Sequence, residues 1–63
     1  MVIRDFYFAA FLAEHGYSYK SLQGKIVVDI TRSNYDKMLT EFKMSEVAKY
    51  RDRVKEISRL VNE

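Results

Sequence analysis

Residues 5–12 read DFYFAAFL, and a chain of only 63 residues has to bury such a run at its centre. Asp5 can accept hydrogen bonds from the free amides of a first helical turn. The stretch 6–15 contains three alanines and no alternation of apolar and polar residues, which favours helix. Gly16 stands where a left-handed C-terminal cap is usually found. These signals predict a helix over 6–15 that is apolar nearly all round its first two turns.

The small size of the chain limits how it can be stabilised. A domain of this length buries only about 60% of the surface that its unfolded chain exposes. Small domains often gain support from disulfides, a structural metal or a partner subunit. The chain has no cysteine and a single histidine, which excludes disulfides and both thiolate and histidine-rich metal sites. We therefore expect no metal or other cofactor, and we expect self-association or a protein partner.

Composition and charge place the chain among ordinary globular proteins. Hydrophobic residues make up 48% and charged residues 32%, and the net charge is only +2. No segment approaches the roughly 20 apolar residues that span a bilayer. Charged residues flank the apolar run on both sides, which argues against a signal peptide. We expect a soluble, cytoplasmic protein with no membrane partner.

The middle of the chain predicts a β-hairpin. Residues 17–22 and 25–30 are both rich in strand-forming side chains, and Gln23-Gly24 joins them. In the second run Ile26, Val28 and Ile30 share one face. In the first run Tyr17 and Tyr19 point one way, with Lys20 and Leu22 on the opposite side.

Two helices are predicted after the hairpin. Ser33 and Asp36 resemble a capping box, and the helix over 34–42 carries one apolar stripe. The phase of the apolar pattern breaks at 43–45, so we predict a turn there, with Ser45 capping a last helix over 46–62. One continuous bent helix is the alternative, because neither glycine nor proline forces a stop. The stripe consists of Tyr35, Met38, Leu39 and Phe42.

These elements predict a small single domain over 1–63 of the α+β class. The expected order is α-β-β-α-α, with a two-stranded antiparallel hairpin packed on helices. A lone hairpin is marginal in water, so the helices have to cover it.

Few residues are suited to catalysis. Acyl or phosphoryl transfer needs a nucleophile with an oriented base, or a metal. The one histidine, His15, ends the first helix, where a cation is stabilised by the helix dipole, and we favour that role over catalysis or ligation. The loop at Gly24 lacks the several glycines that cradle phosphates. We expect no enzymatic activity, no catalytic residue and no small-molecule substrate.

The last helix carries an apolar seam at spacings of three and four residues. We favour packing of this seam on the hairpin and the first helix, since that is the common case. The alternative is that part of it pairs with a second copy or a partner helix, as in a coiled coil. The seam consists of Val47, Tyr50, Val54, Ile57 and Val61.

The same helix carries two basic rows. Asp52 and Glu56 interleave with them, so we favour a solvated face stabilised by pairs at i+3. The alternative is a set of salt-sensitive contacts to nucleic-acid phosphates. The candidate contacts are Lys49, Arg51, Arg53, Lys55 and Arg59.

Two tyrosines beside a lysine on the first strand allow a second nucleic-acid hypothesis. Tyr17 and Tyr19, next to Lys20, could stack on single-stranded bases. Tyrosine is also a favoured strand residue that can cover helices while its hydroxyl stays in water. We favour this structural role.

The N-terminal pattern resembles a family of very short bacterial and phage proteins of unknown function. Members open with an Asp-aromatic-Tyr-Leu-Ala-Ala-Tyr/Phe-Leu helix that ends at Gly-Tyr or Gly-Phe. The similarity covers nearly the whole chain. The sequence departs from the family pattern at 43–45, where it has Lys-Met-Ser and Asn-Gly is expected. The resemblance implies a phage or mobile-element setting and supplies no activity or site residue. The matching positions are Asp5, Phe6, Tyr7, Ala9, Ala10, Phe11, Leu12, Gly16 and Tyr17.

Two functional hypotheses follow from the sequence. The first is a non-enzymatic protein-interaction module, as an accessory or inhibitory protein of a phage or mobile element would be. It rests on the lack of catalytic groups and on the amphipathic last helix. The second is a nucleic-acid-binding accessory protein that uses the basic rows of that helix.

Overall fold

Three α-helices and a three-stranded antiparallel sheet make up the part of the chain that the computed structural model describes, residues 1–45 and 47–62. The side chains of residues 47 and 48 are not among the described atoms. The α+β class is confirmed. In chain order the elements are strand β1 (Val2–Ile3), helix α1 (Phe6–Glu14), strands β2 (Tyr19–Leu22) and β3 (Lys25–Val28), helix α2 (Arg32–Lys43), a 3-10 helix (Val47–Tyr50) and helix α3 (Arg51–Asn62).

Both predicted cap residues of helix α1, Asp5 and Gly16, act at its two ends. The Asp5 carboxylate accepts hydrogen bonds from the backbone amides of Tyr7 and Phe8, at 2.9 and 3.4 Å. At the other end Gly16 has φ +92°, and the Tyr17 amide donates to the Leu12 carbonyl at 3.1 Å. This pairing is the Schellman motif, which satisfies carbonyls that the helix itself leaves free. The helix ends at Glu14, one residue earlier than predicted.

The predicted hairpin is present with a two-residue loop, but its strands are shorter than the predicted 17–22 and 25–30, since β2 begins at Tyr19 and β3 ends at Val28. Leu22 lies opposite Lys25, and the loop residues Gln23 and Gly24 have φ values of 53° and 76°. Positive φ at both central positions is what a type I′ turn requires, and such turns match the twist of the flanking strands. Ile26 and Val28 are fully buried, whereas Lys20 and Leu22 are exposed, as the alternation predicted.

The sheet has a third strand that the sequence reading missed. Strand β1 pairs antiparallel with β3, so the strand order is β1-β3-β2 and β3 is central. The predictions of a two-stranded sheet and of an α-β-β-α-α order were therefore wrong at the N-terminus. Two residues are too few to show the period-two alternation by which a strand is recognised. Val2–Ile3 is extended because Val27 and Ile26 lie beside it.

Helix α2 begins two residues before its predicted start. The N-cap is Thr31, whose hydroxyl accepts from the Asn34 amide at 3.2 Å, so the prediction of a cap at Ser33 was wrong. Thr31 has the extended backbone of an N-cap, and it takes the role that the capping-box pattern suggested for Ser33. The apolar stripe is confirmed. Met38 is buried, and its companions Tyr35, Leu39 and Phe42 pack against the core.

The predicted break between the last two helices is confirmed. Helix α2 ends at Lys43, and the Ser45 hydroxyl donates back to the Phe42 carbonyl at 2.8 Å. Ser45 therefore bonds to the helix before it. The predicted helix over 46–62 is a 3-10 turn over Val47–Tyr50 followed by α3 from Arg51, while residue 46 lies outside the described residues.

The core surrounds α1, which contacts the sheet, both other helices and the 3-10 turn. Helix α3 also packs on β2 and β3, so α1 and α3 together cover one face of the sheet. On its other side α1 meets α2 through aromatic rings. The rings of Phe8 and Phe11 lie 5.1 and 5.4 Å from that of Phe42, and the ring of Phe11 also lies 5.6 Å from that of Tyr50 in the 3-10 turn. The opening run is thus the centre of the core.

Candidate interaction surfaces

The apolar seam of the last helix faces the interior of the domain. Tyr50 and Ile57 are 6% and 0% exposed, and Val54 and Val61 pack against the core. Val47 lies in the 3-10 turn, and its side chain is outside the described atoms. The four described residues of the seam therefore pack within the domain, which is the alternative that we favoured from the sequence. A partner helix could reach them only if α3 left the domain.

The basic residues of the last helix divide into two groups. Lys49, Arg51, Lys55 and Arg59 are exposed, and within residues 1–45 and 47–62 none of them lies within ion-pair distance of a carboxylate. Arg51, Lys55 and Arg59 recur every four residues and so share one side of α3. The exposed acids Asp52 and Glu56 accompany them, and the face carries both signs of charge.

Arg53 is engaged inside the domain. Its guanidinium donates to Glu14 at 2.9 Å and to Glu56 at 3.2 Å, which links α3 to the end of α1. The Glu14 carboxylate and then the Tyr19 hydroxyl raise the pKa of Arg53 above its ordinary value by hydrogen bonding. A phosphate would have to compete with these partners. The structure therefore separates Arg53 from the other predicted nucleic-acid contacts.

The other sequence candidates also have partners within the domain. His15 contacts the Phe11 carbonyl through Nδ1 at 2.8 Å, and its ring centroid lies 4.2 Å from that of Phe11. Tyr17 and Tyr19 pack against the core, whereas Lys20 points to the opposite side of the sheet. These two tyrosines and Lys20 do not form one stacking platform.

The sheet has an open face that the helices do not cover. Strand pairing places Val2, Val27 and Lys20 in one row, and Leu22 beside Lys25 in the next. Val2 is 49% exposed and Leu22 is 54% exposed. We call these five residues the open sheet face. It combines exposed aliphatic side chains with the two cations Lys20 and Lys25.

A groove lies between β1 and α2, and we call it the β1–α2 groove. Its volume is about 520 Å³. Apolar side chains from both elements and from α1 line it, and cations stand at its margin. The lining includes Ile3, Arg4, Phe8, Lys25, Tyr35, Leu39 and Phe42.

The two cations of the groove come from distant parts of the sequence. Arg4 follows β1 and Lys25 begins β3, and the pairing of Ile3 with Ile26 places them side by side. No sequence motif predicts that Arg4 and Lys25 are neighbours, because their proximity depends on the pairing of a strand of only two residues. Within the described ranges, neither cation lies within ion-pair distance of a carboxylate. Sequence reasoning had no signal from which to find this site.

Strand β1 also presents unpaired backbone at the edge of the sheet. The Met1 backbone exchanges two hydrogen bonds with Val28, both 2.8 Å long. In an antiparallel pair such hydrogen-bonded residues alternate with residues whose own amide and carbonyl point away from the partner strand. Val2, opposite Val27, is of the second kind. Its N–H and C=O therefore point to the side of β1 where no strand lies.

Comparisons of the chain with models of protein families, with curated proteins and with solved structures found no match. The resemblance of the N-terminal motif to short phage and bacterial proteins therefore stays a prediction. Among the residues that the structure describes, no three carboxylate or imidazole groups are placed to hold a metal ion. Of the helices described, none has both the length and the apolar character needed to cross a bilayer.

Proposed function

We propose that this protein is a non-enzymatic protein-interaction module whose contact surface is the uncovered side of its sheet together with the adjoining β1–α2 groove. The observation that carries the proposal is the exposure of Val2 and Leu22, at 49% and 54%, on a sheet whose other face buries Ile3, Ile26 and Val28 in the core. The sequence suggested that the amphipathic last helix binds a partner, but the apolar side of this helix packs on the core of the domain. We therefore assign the contact surface to the sheet and not to the last helix.

A phage or mobile-element setting, as an accessory or inhibitory protein in the cytoplasm, remains part of this proposal. It rests on the resemblance carried by residues 5–17. Self-association stays an alternative form of the same function, because a second copy is also a protein partner.

Photo-crosslinking tests the proposed function. A benzophenone amino acid is placed at Leu22, and a matched control carries it at Lys37, which is exposed on α2. In cells that produce the protein naturally, we expect a discrete protein adduct from position 22 and none from position 37. Sedimentation of the purified protein shows whether the adduct is a second copy. A strict monomer that gives no position-dependent adduct would refute the proposal.

Nucleic-acid binding is the second candidate, favoured by the exposed row Arg51, Lys55 and Arg59. Its test is the fluorescence anisotropy of labelled single- and double-stranded DNA at low salt. Binding should weaken steeply with added salt, since each phosphate contact releases counterions. Reversing the three charges to glutamate should abolish binding, whereas the Lys37→Glu and Lys43→Glu pair should have little effect. No binding at low salt, or binding unchanged by the triple reversal, excludes this function.

A further inference from the structure

We propose that the β1–α2 groove binds an extended, acidic segment of a partner protein. The segment pairs with the free edge of β1 as a fourth strand, inserts an apolar side chain against α2 and places carboxylates beside Arg4 and Lys25. The proposal rests on the proposed function, and it adds where the partner lies, in what conformation it binds and what chemistry it carries.

The backbone of β1 supplies the first argument. Val2 directs one donor and one acceptor to the open edge of the sheet, and an extended chain can satisfy both. Adding a strand to a sheet edge is a common way for a domain to hold a peptide. The interior backbone of a helix could not satisfy both groups, because it is already paired within the helix.

The wall of the groove supplies the second argument. Leu39 and Phe42 of α2 are only partly buried, and both line the groove together with Phe8, whose ring lies 5.1 Å from that of Phe42. A volume of about 520 Å³ lies within the range of sites that hold a ligand group of ordinary size. Alternate side chains of an added strand point to the same face, so one of them would enter this apolar space.

The charge of the groove supplies the third argument. Arg4 and Lys25 stand at its margin, and the one acid beside them, Asp5, already accepts two amides of α1. The margin therefore favours carboxylates on the incoming segment. A second copy would bring the same two cations to the interface, which disfavours self-association through this groove. A nucleic acid has no strand-like peptide backbone to pair with the free N–H and C=O of Val2, so the edge of β1 favours a polypeptide.

Selection from a displayed library of random twelve-residue peptides tests the proposal. The full chain is immobilised through its C-terminus so that β1 stays free. We expect enriched peptides with an aliphatic or aromatic residue flanked by Asp or Glu at alternating positions. In an NMR titration, the most enriched peptide should shift the amides of Val2 and Arg4 and slow hydrogen exchange of the Val2 amide.

Charge-reversed variants locate the binding. The double variant Arg4→Glu with Lys25→Glu should weaken binding of the enriched peptide at least about tenfold, because like charges then face each other. The matched control is Lys37→Glu with Lys43→Glu, both exposed on α2. It changes the net charge equally but lies outside the groove, and it should leave the affinity within about twofold of the parent.

A backbone variant tests the added strand itself. Val2→Pro removes only the N–H that points away from β3, a position where an edge strand tolerates proline. It should weaken peptide binding while the melting temperature stays close to that of the parent. If this variant does not fold, the charge-reversed pair and the exchange rate of the Val2 amide still decide the question.

Three outcomes would overturn the proposal. They are the absence of any enriched peptide, enrichment without acidic residues, and binding that the Arg4 and Lys25 reversals leave unchanged. If Leu22 gives a crosslink but any of these three outcomes is found, the protein-interaction function is supported and only the groove is refuted as the binding site. If neither the crosslinking nor the peptide selection gives the expected result, the proposed protein-interaction function is refuted as well.

Discussion

Arg53 and Glu14 join the side of α3 to the end of α1, with the guanidinium Nε 2.9 Å from the carboxylate oxygen across 39 residues of sequence. Glu56 adds a second carboxylate at 3.2 Å. The side chains of Arg53 and Glu14 are 35% and 43% exposed, so water screens their attraction. The pair therefore adds little to the packing of α3 on α1, which rests mainly on buried apolar side chains such as Ile57.

Replacing Arg53 with methionine should lower the free energy of unfolding by about 0.2–1 kcal/mol, the usual range for an exposed ion pair. Urea unfolding at low and high salt measures the change, which should shrink as salt rises. Arg51→Met is the matched control and should cost less. The raised pKa of Arg53 means that its contribution is present at neutral pH and is lost only as pH rises through that pKa in strong alkali. A loss that is unaffected by salt would contradict the ion-pair account.

Replacing Ile57 with alanine should lower the free energy of unfolding by about 2–5 kcal/mol, because its side chain is fully buried in the core. Leu60→Ala on the same helix is the control. Leu60 is 39% exposed and should cost less than about 1 kcal/mol. Thermal unfolding followed by circular dichroism compares the two variants. Equal and small losses would mean that the seam of α3 is free for a partner.

Replacing Phe11 with alanine should cost about 3–5 kcal/mol and unfold much of the protein at room temperature. Phe11 is 2% exposed and touches rings from α2 and the 3-10 turn. Tyr7→Ala, on the exposed side of α1, should leave the fold intact. Near-ultraviolet circular dichroism reports the loss of ring packing. A Phe11→Ala variant that melts like the parent would place this ring outside the core.

Replacing Asp5 with alanine should cost about 0.5–2 kcal/mol, since two amides of α1 lose their acceptor. Asp5→Asn keeps a side-chain oxygen at the cap and should recover most of that stability. Denaturant unfolding measures both variants. If Asn is as damaging as Ala, the charge of Asp5 rather than its capping oxygen stabilises α1.

Replacing Gly16 with alanine should cost about 1–2 kcal/mol through backbone strain alone. Its φ is +92°, and an added Cβ would meet no atom within 4 Å, so no steric clash contributes. Gly16→Asn should cost less, because asparagine tolerates left-handed backbone better than alanine does. Equal melting temperatures for the alanine variant and the parent would show that this helix end can adopt another cap.

Local signals in the sequence were enough for most of the elements. Asp5, Gly16 and the Gln23-Gly24 link act through their own backbone neighbours, so their roles follow from residue type and position. The start of α2 was misplaced because Thr31 and Ser33 can both cap a helix. Only the backbone conformation decides between them, and here it selects Thr31.

The interaction surface was much less predictable. The periodicity of α3 shows that Ile57 belongs to an apolar seam, but it does not say whether this domain or a partner covers that seam. The groove is lined by Arg4, Lys25 and Leu39, which lie far apart in the sequence and are brought together by the pairing of the two-residue strand β1. Strand β1 forms through its pairing with β3, and its two residues are too few to show a recognisable strand pattern in the sequence.

The shortness of β1 also governs how long a complex at its edge would last. Only Val2 offers backbone groups there, so an added strand gains a single pair of hydrogen bonds, each worth about 0.5–1.5 kcal/mol net. Differences in affinity between related complexes lie mostly in the rate of dissociation. A partner held by so little backbone should leave quickly and be replaced readily. Such an edge suits repeated sampling of many chains better than permanent assembly with one.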